Sequence, residues 1–315
     1  MPVALVSAPF IIPVLDRYGP LMEERGVEVV VPLVAEHLEE EDLLAHAGTF
    51  DGTICGDDRY TPRVLAACAP RLKVICKWGT GIDSIDREAA ERLGIAVTNT
   101  VNAHTLAVSE TALGFALSFL RQQPFLDRAI KRGGWEKLQG RTLAESTLGV
   151  VGVGNIGKAV IRRARAFGAT ILANDIVEIA PDFVRENAVE VVGLDELLQR
   201  SDVVSLNCDL NPTSHHLIDE RRLALMRPTA ILVNTARGPV VEETALIAAL
   251  RSGRLAGAGL DVFEEEPLPP TSPLLGMDNV ILSPHHASTS PMGWERIHRN
   301  TVNNLLKGLG LEPLR

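Results

Sequence analysis

"TLGVVGVGNIGKAVIRRARAFGATILAND", residues 147 to 175, decides how this chain folds. An apolar run leads into Gly152, Gly154 and Gly157 in GxGxxG spacing, and the segment after it puts Ile156, Val160, Ala164 and Phe167 on one helical face. Strand, glycine turn and helix in that order meet the demands of a bound pyrophosphate: a tight turn, close backbone approach and helix N-terminal amides facing the anion. Asp175 closes the next apolar run, 18 residues after Gly157 (175 minus 157). There a carboxylate accepts hydrogen bonds from a ribose diol and repels a 2'-phosphate. The expected cofactor is NAD rather than NADP, with Asn174 beside the acid the residue that loosens this preference.

Outward from this stretch the same grammar repeats. "VEVVG", "DVVSLN", "AILVNTARG", "GAGLDVF" and "VILSPHH" follow as strand candidates, mostly separated by helix-length segments. Before it, residues 3–6, 27–31, 52–55, 74–76 and 95–98 form an earlier series. Such alternation signals βαβ units, and parallel strands buried on both faces read as continuous apolar runs. The expected fold is α/β, two Rossmann-like domains with parallel sheets. Residues 104–122, "HTLAVSETALGFALSFLRQ", predict a long buried helix between the two series. "PMGWERIHRNTVNNLLKGLG" predicts a last helix, with Pro291 near its start and Gly308 near its end.

The totals bound the function. A chain of 315 residues with 46% hydrophobic residues can bury two cores. A net charge of −9 with scattered arginines and lysines excludes a nucleic-acid partner, whose phosphates call for clustered cations. No apolar stretch approaches the roughly 18 residues of a membrane span, and no secretory leader is visible. A soluble, cytoplasmic protein is expected. Cys55, Cys68, Cys76 and Cys208 show no CxxC pairing, so neither a disulfide framework nor a metal site is indicated.

In open α/β sheets ligands gather at the carboxyl ends of strands. Three polar residues stand just after apolar runs there: Arg237 after "ILVNTA", Glu266 after "GLDVF" and His285 after "VILSP". An arginine fork grips a carboxylate, and a histidine exchanges a proton near neutrality. A carboxylate beside that histidine favours its charged form. The set fits a nicotinamide, which carries a hydride but no proton.

The ordered motifs "LKVICKWGTGIDSID", "VSETALGFALSFLR", "LGVVGVGNIGKAV", "LNCDLNPTSHHLI", "MRPTAILVNTARGPVVEETALIAAL", "GAGLDVFEEEPLP" and "DNVILSPHHAST" cover nearly the whole chain. It resembles the D-isomer-specific 2-hydroxyacid dehydrogenase family, which includes D-3-phosphoglycerate, glyoxylate/hydroxypyruvate and D-lactate dehydrogenases. The resemblance implies hydride transfer between NAD and a small 2-oxo or D-2-hydroxy acid. It gives Arg237 the substrate carboxylate and carbonyl, makes His285 the general acid or base, and selects Glu266 as its partner, leaving Glu264 and Glu265 as solvated neighbours. It adds Thr80 and Gly81 as substrate-carboxylate amides and Trp78 as a pocket wall. It also adds Asn155 and Ile156 in the phosphate turn, Cys208 and Thr235 near the nicotinamide ribose and ring, and Asp261 near the carboxamide.

The family fold implies a substrate domain of residues 1–99 and 288–315 around an inserted NAD-binding domain of residues 100–287, with a cleft between them and a homodimer built on the arm "RGGWEKLQGRTL". Gly56 in "GDDRYT" stands where phosphoglycerate dehydrogenases often carry an arginine for the substrate phosphate, leaving Arg59 or Lys77 as substitutes. The alternative within the resemblance is an NADH-sensing, corepressor-like interaction protein.

Overall fold

The structure is a computed structural model and describes residues 1–314. The chain divides into two units, one of Met1–His104 with the segment from Ser290 onward, the other of Thr105–Thr289.

In the first unit, β1 (Val3–Val6), β2 (Glu28–Val30), β3 (Gly52–Cys55), β4 (Val74–Lys77) and β5 (Ala96–Thr98) form a parallel sheet in the order β2-β1-β3-β4-β5. Side chains alternate across it. Ala4, Val6, Ile54, Val74 and Cys76 join one apolar cluster, while Leu5, Cys55 and Ile75 join another. Both faces are therefore covered, which is why these strands read as unbroken apolar runs. β2 and β5 are each shorter than their apolar runs, because an edge strand is paired on one side only.

The helix Pro291–Gly308 completes the first face of this sheet. Ser290 caps it by accepting from the Gly293 amide at 3.1 Å, and Pro291 occupies its first turn. Ile297, Val302, Leu305 and Leu306 on one side of it are fully buried in the cluster with Val6 and Val74. At about 1.5–3 kcal/mol each, these four contribute on the order of 6–12 kcal/mol, as an upper bound.

In the second unit, β6 (Thr147–Val151), β7 (Thr170–Asn174), β8 (Val189–Val191), β9 (Val203–Leu206), β10 (Ile231–Asn234), β11 (Gly257–Leu260) and β12 (Val280–Leu282) form a seven-stranded sheet. All pairings are parallel, in the order β12-β11-β10-β9-β6-β7-β8. The chain thus winds outward from β6 in both directions, and the β6/β9 boundary is the topological switch point at which such sheets bind ligands. The helix Thr105–Leu120 lies against β11: a Cβ on Gly259 would come within 2.7 Å of Phe115, and one on Gly257 within 2.5 Å of Phe119. These aromatics, one turn apart, explain the small residues of the "GAGL" strand.

The long helix was expected to run to residue 122. It stops at Leu120; Gln122 turns at φ +55°, and a separate helix Gln123–Lys131 starts with Pro124 in its first turn. Among the described residues no helix is long and apolar enough to cross a membrane.

Candidate active site

The glycine turn sits at the switch point of the second sheet. Gly152 has φ +85°, and a Cβ there would lie 2.6 Å from the Cys208 amide nitrogen, so the turn rests directly on the segment leaving β9. A Cβ on Gly157 would lie 2.0 Å from the Gly152 carbonyl, which fixes the start of the helix Asn155–Ala166 against the turn. Gly154 differs: its Cβ direction is open, and no side chain caps the helix it begins. The amides of Asn155, Ile156 and Gly157 thus carry the helix's positive end at a position open to an anion.

Asp175, half-buried after β7, accepts from the Val153 amide at 2.5 Å and the Val177 amide at 2.9 Å. Its charge is thereby tied to the glycine turn. The next side chains, Ile176 and Val177, are exposed and apolar. Across the switch point, burial pushes the Cys208 thiol up to about 11, which makes it a neutral wall rather than a nucleophile. Two buried oxygens at these strand ends, Asn207 Oδ1 and Thr235 Oγ1, have no hydrogen-bond partner among the described residues. Polar atoms of this kind are rare unless a ligand satisfies them. Open glycine, uncapped helix and unpaired oxygens fit a dinucleotide.

Arg237, Glu266 and His285 follow β10, β11 and β12, three strands adjacent in the sheet. Asn234 shapes the first loop, with its Nδ2 donating to the Arg237 carbonyl at 2.9 Å and its Oδ1 accepting from the Ala236 amide at 3.0 Å. A Cβ on Gly238 would lie 1.8 Å from the Phe263 carbonyl, so the Arg237 loop packs on the chain that leads to Glu266. Glu266 Oε1 accepts from the Phe263 amide at 2.9 Å, and its Oε2 lies 2.7 Å from His285 Nδ1. The structure brings this predicted pair together. His285 stands at φ +49°, a left-handed conformation that non-glycine residues rarely hold without support.

Asp261 supplies that support. Its carboxylate accepts from Ser283 Oγ at 2.5 Å and from the amides of His286 and Ala287, both at 2.9 Å. Its backbone carbonyl accepts from the His285 amide at 2.7 Å. Both carboxylate oxygens are taken up in shaping the histidine loop, a role its type and position did not signal. Glu264 is exposed, as is Glu265; at the surface its Oε1 lies 2.7 Å from His216 Nε2 and accepts from the Glu243 amide at 3.3 Å.

In the first unit, Trp78, Thr80 and Gly81 follow β4. Trp78 is buried, Thr80 is exposed and Gly81 is half-buried. Thr80 Oγ1 donates to the Thr100 carbonyl at 2.9 Å, and Asn99 Nδ2 donates to the Thr80 carbonyl at 2.6 Å, so the loop is fastened to the chain leaving β5. At the end of β3, Asp57 pairs with buried Lys77 at 2.5 Å, while Asp58 accepts from Ser7 Oγ and the Leu38 amide. Burial raises the Asp58 carboxyl above the usual carboxylate range. Arg59, the other cation named above, lies 3.6 Å from Glu39.

Residues 113–287, more than half of the chain, match the sequence model of the family described as "D-isomer specific 2-hydroxyacid dehydrogenase, NAD binding domain". The chain belongs to this family. The dehydrogenase is 42% identical over 244 residues to a glyoxylate reductase of Korarchaeum cryptofilum, covering 76% of this chain and 73% of that one. It is 36% identical over 297 residues to a hydroxypyruvate reductase of Thermotoga maritima, covering 92% and 94%. Among solved structures, D-lactate dehydrogenase from Aquifex aeolicus, complexed with NAD and lactic acid, superposes with a TM-score of 0.85 at 29% identity, covering 95% and 93%. The protein is an NAD-dependent oxidoreductase that interconverts a 2-oxo acid and its D-2-hydroxy acid. The NADH-sensing alternative is not favoured, since these relatives are named for turnover.

Proposed function

We propose that this dehydrogenase reduces a small, unphosphorylated 2-oxo acid of the glyoxylate or hydroxypyruvate type. The second unit would hold NAD and the first the substrate carboxylate. The observation that carries the catalytic part is the 2.7 Å contact between His285 Nδ1 and Glu266 Oε2, beside the Arg237 loop. With Nδ1 held by Glu266, Nε2 is the nitrogen that would exchange a proton with the substrate oxygen. Arg237 grips carboxylate and carbonyl and stabilises the oxygen as it gains negative charge. Thr80 and Gly81 present backbone amides to the carboxylate, with Trp78 as the wall behind them. Gly152, Gly154, Asn155, Ile156 and Gly157 would hold the pyrophosphate, Asp175 the ribose diol, and Thr235 with Cys208 the nicotinamide side. The cofactor, when bound, supplies the hydride.

The substrate class rests on charge. The cations at the ends of β3 and β4 are already paired, Lys77 with Asp57 and Arg59 with Glu39. A phosphate brought there meets Asp57 and Asp58, and the two cations beside them are already engaged by carboxylates. In assays of NADH oxidation against glyoxylate, hydroxypyruvate, pyruvate and 3-phosphohydroxypyruvate, one of the first three is expected to exceed the phosphorylated acid in kcat/KM by about 100-fold or more. Preference for the phosphorylated acid would overturn the assignment. Relatives named glyoxylate reductase and hydroxypyruvate reductase support this reading, while another, 39% identical over 260 residues, is named D-3-phosphoglycerate dehydrogenase.

NAD preference rests on Asp175 and its apolar neighbours. Asp175→Ser is expected to lower kcat/KM with NADH by about tenfold and raise it with NADPH, since the repelling charge is gone while the ribose loses an acceptor. Unchanged selectivity would move the determinant elsewhere. We also place the protein in the cytoplasm as a homodimer. The segment after Lys131 supports the dimer, because Trp135 and Leu138 are 80% and 50% exposed there.

A further inference from the structure

The loop at Thr80 and Gly81 begins at Trp78, and this indole is anchored from an unexpected place. Its Nε1–H donates to His298 Nδ1 at 3.0 Å, across to the helix Pro291–Gly308. The pair is buried, with 6% of Trp78 and 3% of His298 exposed. Accepting that bond requires a bare Nδ1, so His298 is neutral with its proton on Nε2. Ring contacts hold the indole in place: Phe10 at 4.9 Å, His298 at 5.5 Å, and His104 and Trp294 at 5.9 Å. Directly after it, Gly79 turns at φ +120°, and its carbonyl accepts from the Thr100 amide at 2.8 Å. The indole and the Thr100 backbone thus brace residues 78 and 79, directly ahead of the Thr80 and Gly81 amides.

We propose that His298 is a positioning residue for the substrate: by anchoring Trp78 it sets the pitch of residues 79–81 and so governs affinity for the 2-oxo acid carboxylate. This rests on the reading of Thr80 and Gly81 as the carboxylate loop. Protonation of Nδ1 would set two donors against each other and release the indole.

The surroundings of His298 hold it neutral. Burial lowers its pKa, with Glu295 opposing and Arg17 assisting. Arg17 and Glu295 pair with each other at 2.9 Å, so their fields largely cancel at the imidazole. Tyr18, whose hydroxyl donates to Glu295, is pushed up to about 12 by burial and stays neutral. Arg299 lies beyond it, and His104 faces the other side of the indole. A histidine with a depressed folded pKa is fully bonded above its ordinary value of about 6.5 and loses the bond as pH falls through the lower, folded value. KM should therefore be flat near neutrality and climb in acid.

Steady-state kinetics with glyoxylate or hydroxypyruvate from about pH 5 to 8 test this with His298→Leu, His298→Gln and Gly81→Pro, alongside NADH titrations and thermal melts. His298→Leu is expected to raise KM about tenfold or more, with kcat and NADH affinity little changed. His298→Gln, whose amide oxygen can accept the indole N–H without titrating, is expected to restore KM and flatten its rise in acid. A normal KM in His298→Leu while Gly81→Pro raises it refutes the positioning role. Normal KM in both refutes the carboxylate loop itself, and the proposal with it. If His298→Leu does not fold, a His298→Gln protein whose KM still climbs in acid like the parent is enough to overturn it.

Discussion

His285→Asn is expected to lower kcat for reduction by about 10²- to 10⁴-fold, the range for loss of a positioned general acid, with NADH binding staying within a factor of about two. Asparagine is the informative replacement because it tolerates the φ of +49° observed at this position. The loop held by Asp261 then keeps its shape, and only the proton donor disappears. Glu266→Gln tests the same pair from the other side. It keeps an oxygen for Nδ1–H but removes the charge that favours the imidazolium, so a smaller loss, about 10-fold to 100-fold, is expected. Single-turnover measurements of NADH oxidation separate these effects from product release. A His285→Asn protein with near-normal single-turnover rates would remove His285 from the proton path.

Arg237→Lys is expected to lower kcat/KM by about 10²- to 10³-fold, equivalent to roughly 3–4 kcal/mol of lost transition-state stabilisation. Lysine retains the charge, so the loss isolates the geometry of the fork. The loop around Arg237 is built to aim it: Asn234 brackets the turn from both sides, and the chain at Gly238 touches the Phe263 carbonyl so closely that no side chain fits. The effect belongs in both kcat and KM, because the guanidinium is expected to hold the carboxylate in the ground state and the oxygen in the transition state. A change confined to KM would assign Arg237 to binding alone.

The fold was legible because both sheets are parallel and buried on two faces, which writes each strand as a continuous apolar run, and because "GVGNIG" can hardly be anything but a strand-to-helix turn. Strand ends could be located for the same reason, and Glu266 with His285 followed from them. What could not be read were residues that act by holding others. Asn234, Asp261 and His298 look like an ordinary turn asparagine, a strand-end acid and a helical histidine. Asn234 acts within three positions of itself, but Asp261 and His298 are engaged across 22 and 220 positions, by Ser283 and by Trp78, which no local pattern encodes. The break at Gln122 escaped for the opposite reason: a left-handed glutamine is a local event, but glutamine is not a residue that announces one.

The helix Pro291–Gly308 has a consequence for how the protein is made. Its buried residues Ile297, Val302, Leu305 and Leu306 belong to the core of a sheet whose five strands are all complete by Thr98. Leu306 emerges from the ribosome 202 residues after His104 (306 minus 104). At about 5–20 residues per second, the newborn sheet waits roughly 10 to 40 s for its lid. During that time the second unit, contiguous in the chain, has everything it needs to fold. The face around Val6, Ile54 and Val74 meanwhile stands open to chaperones or to neighbouring nascent chains, so of the two units the one begun earlier is finished later.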